Sequence, residues 1–149
     1  MLISRSVALY TLLLCSLRLH YAQSYTGLGD LNTTTIATAS GEVEFVQEVQ
    51  QQRAVVERLL GVSTNESELA AMISYAQAFP NGLVALVDTY DVMKSGVPNF
   101  IAVSLALMHL GFNPVGIRLD SGDLAFFSKW ARTTFTGTAT YPFKQPLPL

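Results

Sequence analysis

The sequence predicts an α/β protein with a parallel sheet covered by helices. The short run Leu83–Val87 is apolar throughout, as a strand buried on both faces is, and Val115–Leu119 is a second such run that is apolar except for Arg118. The stretch between them is long enough for a helix, and amphipathic helical patterns precede the first run. Because two strands cannot complete such a layered structure, we expect a slice of a larger α/β domain.

Composition and charge exclude several classes of protein. The chain has 149 residues, of which 50% are hydrophobic, so it is long enough to bury a core. A net charge of -2 with 13% charged residues provides neither the basic field of a nucleic-acid-binding protein nor the acidic excess of a disordered tail. The single cysteine, Cys15, excludes an internal disulfide and a zinc site made of several thiolates. Function must therefore be sought in a local site.

The first residues form an apolar leader. Arg5 precedes the apolar run Val7–Leu17, which is typical of the core of a secretory signal but is short for a membrane span. Two glycosylation triplets, at Asn32 and Asn65, matter only if the chain is secreted. We interpret residues 1–19 as signal-like or unrelated sequence, and expect a cytoplasmic protein without membrane contact, with secretion as the alternative.

The next segment combines a predicted loop with a predicted helix. Residues Tyr25–Ser40 are rich in glycine, threonine and serine, which is typical of a loop. Between Glu42 and Leu60, apolar residues recur at spacings of three, four and seven. This pattern predicts an amphipathic helix that ends at Gly61.

A second helix and the first strand follow. Asn65 stands three residues before Glu68, a spacing typical of a capping box, and predicts a helix over Glu66–Ala78. The residues Pro80–Gly82 predict a turn. The strand Leu83–Val87 comes directly after it.

The stretch between the two strands predicts a third helix, from Val97 to Leu110. Pro98 lies in its first turn and Gly111 just past its end. Its expected buried stripe includes Ile101, Leu105 and Met108. Beyond Arg132, threonines and prolines predict an irregular tail over residues 133–149.

A strand-helix-strand unit of this length places its strands in parallel, usually as neighbours, by a right-handed crossover. The carboxyl ends of the two strands then share one edge, where Asp88 and Arg118–Asp123 should converge. In α/β proteins, ligands bind at this edge because its loops present polar groups over a rigid scaffold.

The residues after the second strand have two interpretations. Arg118 offers a planar set of donors, Asp120 an acceptor for sugar hydroxyls, and Gly122 a close backbone approach, which together suit a phosphorylated sugar. Alternatively, Arg118 and Asp120 form an ordinary salt bridge and Asp123 caps the next helix. Spacing alone leaves both interpretations open.

Several uncommon strings occur in an order that resembles the nicotinate phosphoribosyltransferase family. The strings are Glu68–Ala71, Tyr75–Ala76, Ala78–Pro80, Leu83–Tyr90, Lys94–Phe100 and Gly116–Leu124. The resemblance covers roughly residues 20–132, which we interpret as a partial phosphoribosyltransferase catalytic domain. It implies part of the irregular TIM-like barrel of type II phosphoribosyltransferases, with a homodimer in the full-length family.

The resemblance also implies a reaction. Family members join nicotinate to 5-phosphoribosyl 1-diphosphate with Mg²⁺, couple this to ATP hydrolysis, and form nicotinate mononucleotide for NAD biosynthesis. By analogy Arg118 lies near the nicotinate or the diphosphate, Asp120 lies near the ribose hydroxyls, and Ser121 and Gly122 belong to the supporting loop. Asp88 would orient the catalytic histidine that is transiently phosphorylated.

The histidine departs from the family pattern. His20 is the candidate, but a gapless alignment places Leu19 at the phosphorylated position. Two alternatives stay open: His20 is the phosphorylated histidine, or His20 is a neighbour of a histidine that this sequence has lost. His109, near a predicted helix end, is expected to be a surface residue or a partner of the helix dipole. No residue is predicted to ligate a metal directly.

The family's amino-terminal part and its downstream glycine-rich loops have no counterpart in this sequence. We therefore expect a truncated form of the enzyme. The alternatives are a catalytically inactive fragment that binds a full-length subunit and a secreted, glycosylated domain.

Overall fold

The computed structural model describes residues 25–139, and the predicted leader, His20 and residues 140–149 lie outside the described part. The elements in chain order are β1 (Thr35–Thr38), β2 (Gly41–Glu44), α1 (Phe45–Leu60), α2 (Glu66–Ala78), β3 (Val84–Leu86), α3 (Val97–His109), β4 (Gly116–Arg118) and α4 (Leu124–Ala139). A 3-10 turn precedes β1, and a π-helical turn, Val92–Gly96, leads directly into α3.

The prediction of a loop over Tyr25–Ser40 is partly wrong. The strand β1 lies within this segment and pairs with β2 as an antiparallel hairpin. The strands are only four residues long, and Ile36 alone is buried in them, so the sequence carries little apolar alternation. The Gln77 side chain donates to the carbonyl oxygens of Thr33 and Thr35 at 2.9 and 3.0 Å. This contact ties the hairpin to α2.

Both early helices are confirmed. The first, α1, begins at Phe45 because the residues before it pair in β2, and it ends at Gly61, whose φ of 66° is left-handed. The second, α2, has the predicted limits, and Asn65 Oδ1 accepts from the backbone N–H of Glu68 at 3.0 Å. The carboxyl group of Glu68 does not return to the helix start as in a full capping box but hydrogen bonds in the interior.

The strand-helix-strand unit is also confirmed. β3 and β4 are parallel neighbours, with Val84 opposite Gly116 and Leu86 opposite Arg118. Between them, every residue of α3 from 97 to 107 is buried, because α1 and α2 both pack on the helix. Met108, predicted to belong to the buried stripe, is instead 50% exposed.

The prediction of an irregular tail from residue 133 is wrong for residues 133–139, because α4 continues to Ala139. Threonine is a weak helix former, but here its hydroxyl groups donate to the carbonyl oxygens four residues earlier. The donors are Thr133, Thr134, Thr136 and Thr138. These local bonds satisfy the threonine hydroxyl groups within the helix.

Candidate functional site

The carboxyl ends of β3 and β4 lie side by side, as predicted, and Asp88 joins them. Asp88 Oδ2 accepts from the backbone N–H of Asp120 at 2.8 Å and from Ser121 Oγ at 2.7 Å. The backbone N–H of Val87 also donates to the carbonyl oxygen of Arg118 at 3.3 Å, which extends the strand pairing to the edge. One carboxylate therefore holds the loop that follows β4.

Arg118 and Asp120 form the predicted salt bridge, with Nε and Oδ1 2.7 Å apart. Their side chains are 34% and 37% exposed, so both groups can still be reached from solvent. Asp123 Oδ1 accepts from the backbone N–H of Phe126 at 2.9 Å and caps α4. The structural interpretation of these residues is thus correct, and it is compatible with a binding role for the exposed pair.

Gly122 is required by the local fold. Its φ of 76° is left-handed, and a Cβ atom at this position would lie 2.8 Å from Cε2 of Phe127. A glycine is therefore needed for the turn into α4, whatever ligand approaches it.

The loop after β3 folds back on its own strand. Asp91 Oδ1 accepts from the N–H groups of Met93 and Lys94 at 2.9 and 2.8 Å, and caps the π-helical turn. At the end of this turn, a Cβ on Gly96 would lie 1.9 Å from the carbonyl oxygen of Val87. The loop is thereby closed beside Asp88. Sequence reasoning missed this closure, although Asp91 and the Ser95-Gly96 pair are residue types that favour turns.

A buried polar cluster lies beneath that loop. Glu68 is 2% exposed; its Oε2 accepts from Ser95 Oγ and, at 3.4 Å, from Asn99 Nδ2. Burial raises the pKa of Glu68 to about 7 against the opposing hydrogen bonds from Ser95 and Asn99, and the carboxylates of Asp88 and Asp91 add to the rise. Sequence reasoning gave Glu68 only a capping role and so missed this cluster.

The remaining candidates lie elsewhere. His109 Nδ1 is 2.9 Å from Glu48 Oε1, so His109 links α3 to α1 rather than reaching the sheet edge. His20 lies outside the described residues. Within residues 25–139, no group of three or more His, Cys, Asp or Glu side chains is placed to hold a metal ion. In the same range, none of the helices has the length and apolar character needed to cross a membrane.

Comparisons with known proteins give consistent relatives, although no family model matches the chain. The chain is 50% identical over 115 residues to nicotinate phosphoribosyltransferase of Dictyostelium discoideum, covering 77% of this chain and 19% of the relative. It is 71% identical over 72 residues to nicotinate phosphoribosyltransferase 1 of Arabidopsis thaliana, covering 48% of this chain and 13% of the relative.

A solved structure agrees with these sequences. The crystal structure of human nicotinic acid phosphoribosyltransferase superposes with a TM-score of 0.75 and 37% sequence identity, over 81% of this chain and 25% of that chain. The chain spans about a fifth of the length of the relatives it matches, 19% in the Dictyostelium discoideum protein.

Proposed function

We propose that this chain, which belongs to the nicotinate phosphoribosyltransferase family, contributes one edge of a site that forms nicotinate mononucleotide from nicotinate and 5-phosphoribosyl 1-diphosphate. The observation that carries this proposal is the junction at Asp88, which holds Asp120 and Ser121 at the carboxyl ends of two parallel strands. Ligands of α/β proteins bind at that edge. The names of the relatives supply the identity of the substrate.

Arg118 and Asp120 have the chemistry that this substrate needs. A guanidinium group binds the planar carboxylate of nicotinate or the oxygens of a diphosphate through paired hydrogen bonds. A carboxylate accepts hydrogen bonds from ribose hydroxyl groups. Their ion pair uses Nε of Arg118 and one oxygen of Asp120, and it fixes the plane of the guanidinium group at the strand end.

Asp88 can combine two tasks. Both of its hydrogen bonds within residues 25–139 use Oδ2. We propose that Oδ1 accepts an N–H from the phosphorylated histidine of the family, which would fix the tautomer of the imidazole ring and stabilise its cation. In this sequence, His20 is the candidate for that histidine.

Magnesium and ATP belong to the same proposal. Mg²⁺ is usually bound through one or two carboxylates together with substrate phosphates. The diphosphate would supply most of the oxygen ligands of the ion. ATP hydrolysis would be coupled to the synthesis. We also propose an irregular barrel completed by other parts of the enzyme, and a homodimer.

A second candidate function has its own observation. Val115, Leu124 and Phe126 are 66%, 47% and 50% exposed around β4 and the start of α4. Exposed apolar residues next to a two-stranded sheet are typical of a surface that another chain covers. The alternative proposal is therefore an inactive, truncated form that binds a full-length subunit.

A cytoplasmic location is proposed over secretion. Asn65, in one of the two glycosylation triplets, is partly buried and its side chain caps α2. Such a side chain is a poor acceptor for a bulky surface glycan. Detection of a glycan at Asn65 or at the exposed Asn32 would contradict this proposal.

The test is formation of nicotinate mononucleotide by the purified chain, supplied with nicotinate, 5-phosphoribosyl 1-diphosphate, ATP and magnesium. The test variant is Asp120→Asn. The control is Asp30→Asn, which changes an exposed aspartate that is distant from Asp120 in the sequence. Turnover lost only in Asp120→Asn supports the active site. Turnover equal in both variants contradicts it. A folded but inactive chain that inhibits the human enzyme supports the second candidate.

A further inference from the structure

Two buried acceptor atoms in the cluster beneath the site have no hydrogen-bond donor among residues 25–139. They are Oε1 of Glu68 and Oδ1 of Asn99, in residues that are 2% and 0% exposed. A buried acceptor without a donor destabilises a fold, and an ionised carboxylate does so most strongly. The cluster thus has too few protons if Glu68 is a carboxylate.

The neighbouring donors do not meet this deficit. Ser95 Oγ accepts from the backbone N–H of Asn65 at 3.0 Å and donates to Oε2 of Glu68. Asn99 Nδ2 donates to the carbonyl oxygen of Asn65 at 3.0 Å, and at 3.4 Å to Glu68 Oε2 and Ser95 Oγ. The two groups that donate to Glu68, Ser95 Oγ and Asn99 Nδ2, both reach the same oxygen, Oε2. One added proton on the other oxygen would turn it from an unsatisfied acceptor into a donor.

We propose that Glu68 is a positioning residue that, as a neutral carboxylic acid, holds the π-helical turn after β3 in place and thereby fixes Asp88 at the sheet edge. The importance of Asp88 in this inference rests on the proposed function. Glu68 itself touches no substrate.

The path from Glu68 to Asp88 is short. Glu68 holds Ser95, and the adjacent Gly96 packs against the backbone of Val87, the residue before Asp88. A second contact, between Ser67 Oγ and Tyr90 OH at 3.2 Å, ties the middle of the same loop to α2. The first turn of α2 therefore holds the loop at its middle and at its end.

Ionisation of Glu68 would loosen this arrangement. The groups packed on it from α3 and from the π-helical turn, Asn99 and Ser95, are neutral, and the charged groups that act on it are the carboxylates of Asp88 and Asp91. Within residues 25–139, no Lys, Arg or His forms an ion pair with Glu68. A new negative charge would repel Asp88 and Asp91 and would lack a donor at Oε1.

The first test is carbon-13 NMR of the full chain labelled at the glutamate carboxyl carbons, recorded across a pH titration, with Glu68→Gln to assign the signal. We expect Glu68 to titrate well above the range that is usual for a glutamate carboxyl group, and the Gly96 amide signal to move over the same pH range. In Glu68→Gln the Gly96 transition should disappear, while in the control Glu44→Gln it should persist. A Glu68 signal that titrates in the range usual for a glutamate would overturn the proposal, since an ionised group that receives a hydrogen bond from a buried water behaves in that way.

The second test is binding of 5-phosphoribosyl 1-diphosphate by calorimetry at about pH 6 and about pH 8.5, on either side of the expected transition. The ratio of wild-type affinity to Glu68→Gln affinity should fall about tenfold at the higher pH, the effect of weakening one buried hydrogen-bonded contact. The Glu68→Ala variant should bind 5-phosphoribosyl 1-diphosphate weakly at both pH values. A constant ratio would contradict positioning. If no variant binds, the proposed function fails, and the NMR titration still decides the state of Glu68.

Discussion

Asp88 Oδ2 lies 2.7 Å from Ser121 Oγ, across the edge formed by two parallel strands that are far apart in the sequence. The same oxygen accepts the backbone N–H of Asp120. Because a carboxylate can accept several hydrogen bonds at once, one side chain fixes both the backbone and the side chain of the neighbouring loop. The position of Asp120 therefore depends on Asp88.

Replacement of Asp88 by asparagine should loosen the loop. An amide oxygen accepts hydrogen bonds more weakly than a carboxylate, so we expect the free energy of unfolding to fall by about 1 to 2 kcal/mol. Urea unfolding followed by circular dichroism measures the change. Asp88→Asn as stable as the wild type would show that the loop does not need this charge.

Gly96→Ala should be among the most damaging small substitutions. The added Cβ would lie 1.9 Å from the carbonyl oxygen of Val87, so the backbone must move, at a cost of about 3 kcal/mol. The control is Gly137→Ala in α4, where a Cβ meets nothing within 4 Å and should stabilise the helix by up to about 1 kcal/mol. Thermal unfolding of both variants compares them, and equal melting temperatures would contradict the tight packing.

Glu68 should make stability fall as pH rises. The pKa of its carboxyl group is 4.5 ordinarily and about 7 in the fold, so the folded state binds the proton more tightly. The stabilisation is complete below about 4.5, is lost as pH rises toward about 7, and amounts to roughly 3 kcal/mol. Urea unfolding of wild type and Glu68→Gln across this range should give diverging curves. Parallel curves would show that folding does not raise the pKa of Glu68.

Asn65→Ala should weaken α2. The side chain of Asn65 accepts from the backbone N–H of Glu68 at 3.0 Å, and loss of such a cap costs about 1 kcal/mol. Asn32→Ala, at the other glycosylation triplet, changes an exposed residue and serves as the control. Chemical unfolding that gives the same stability for both variants would rule out a capping role.

The sequence predicted those helices and strands that carry a local sequence signal. The β3-α3-β4 unit follows from two apolar runs with a helix between them, and α2 follows from its Asn65 cap. The convergence of Asp88 with the Arg118 loop follows from the crossover rule. The amino-acid strings around Asp88 and Asp120 were needed to suggest the family, since spacing alone left an ordinary salt bridge open as an interpretation.

The features that sequence reasoning missed depend on contacts distant in the chain. The β1-β2 hairpin buries little beyond Ile36 and is tied to α2 by Gln77. The inward turn of Glu68 depends on Ser95 and Asn99, which come more than twenty residues later. The helix α4 continues through threonines, which are weak helix formers, so composition placed its end too early.

The most direct test of the sheet-edge site is proton-nitrogen NMR of the folded chain titrated with 5-phosphoribosyl 1-diphosphate. We predict saturable shifts in the amide signals of Asp88 and of residues 118–122, and their loss in Arg118→Gln but not in the control Arg58→Gln, which alters an exposed residue of α1. Shifts confined to other parts of the fold, or no shift at saturating ligand in a folded sample, would contradict the assignment of this edge as the phosphoribosyl site.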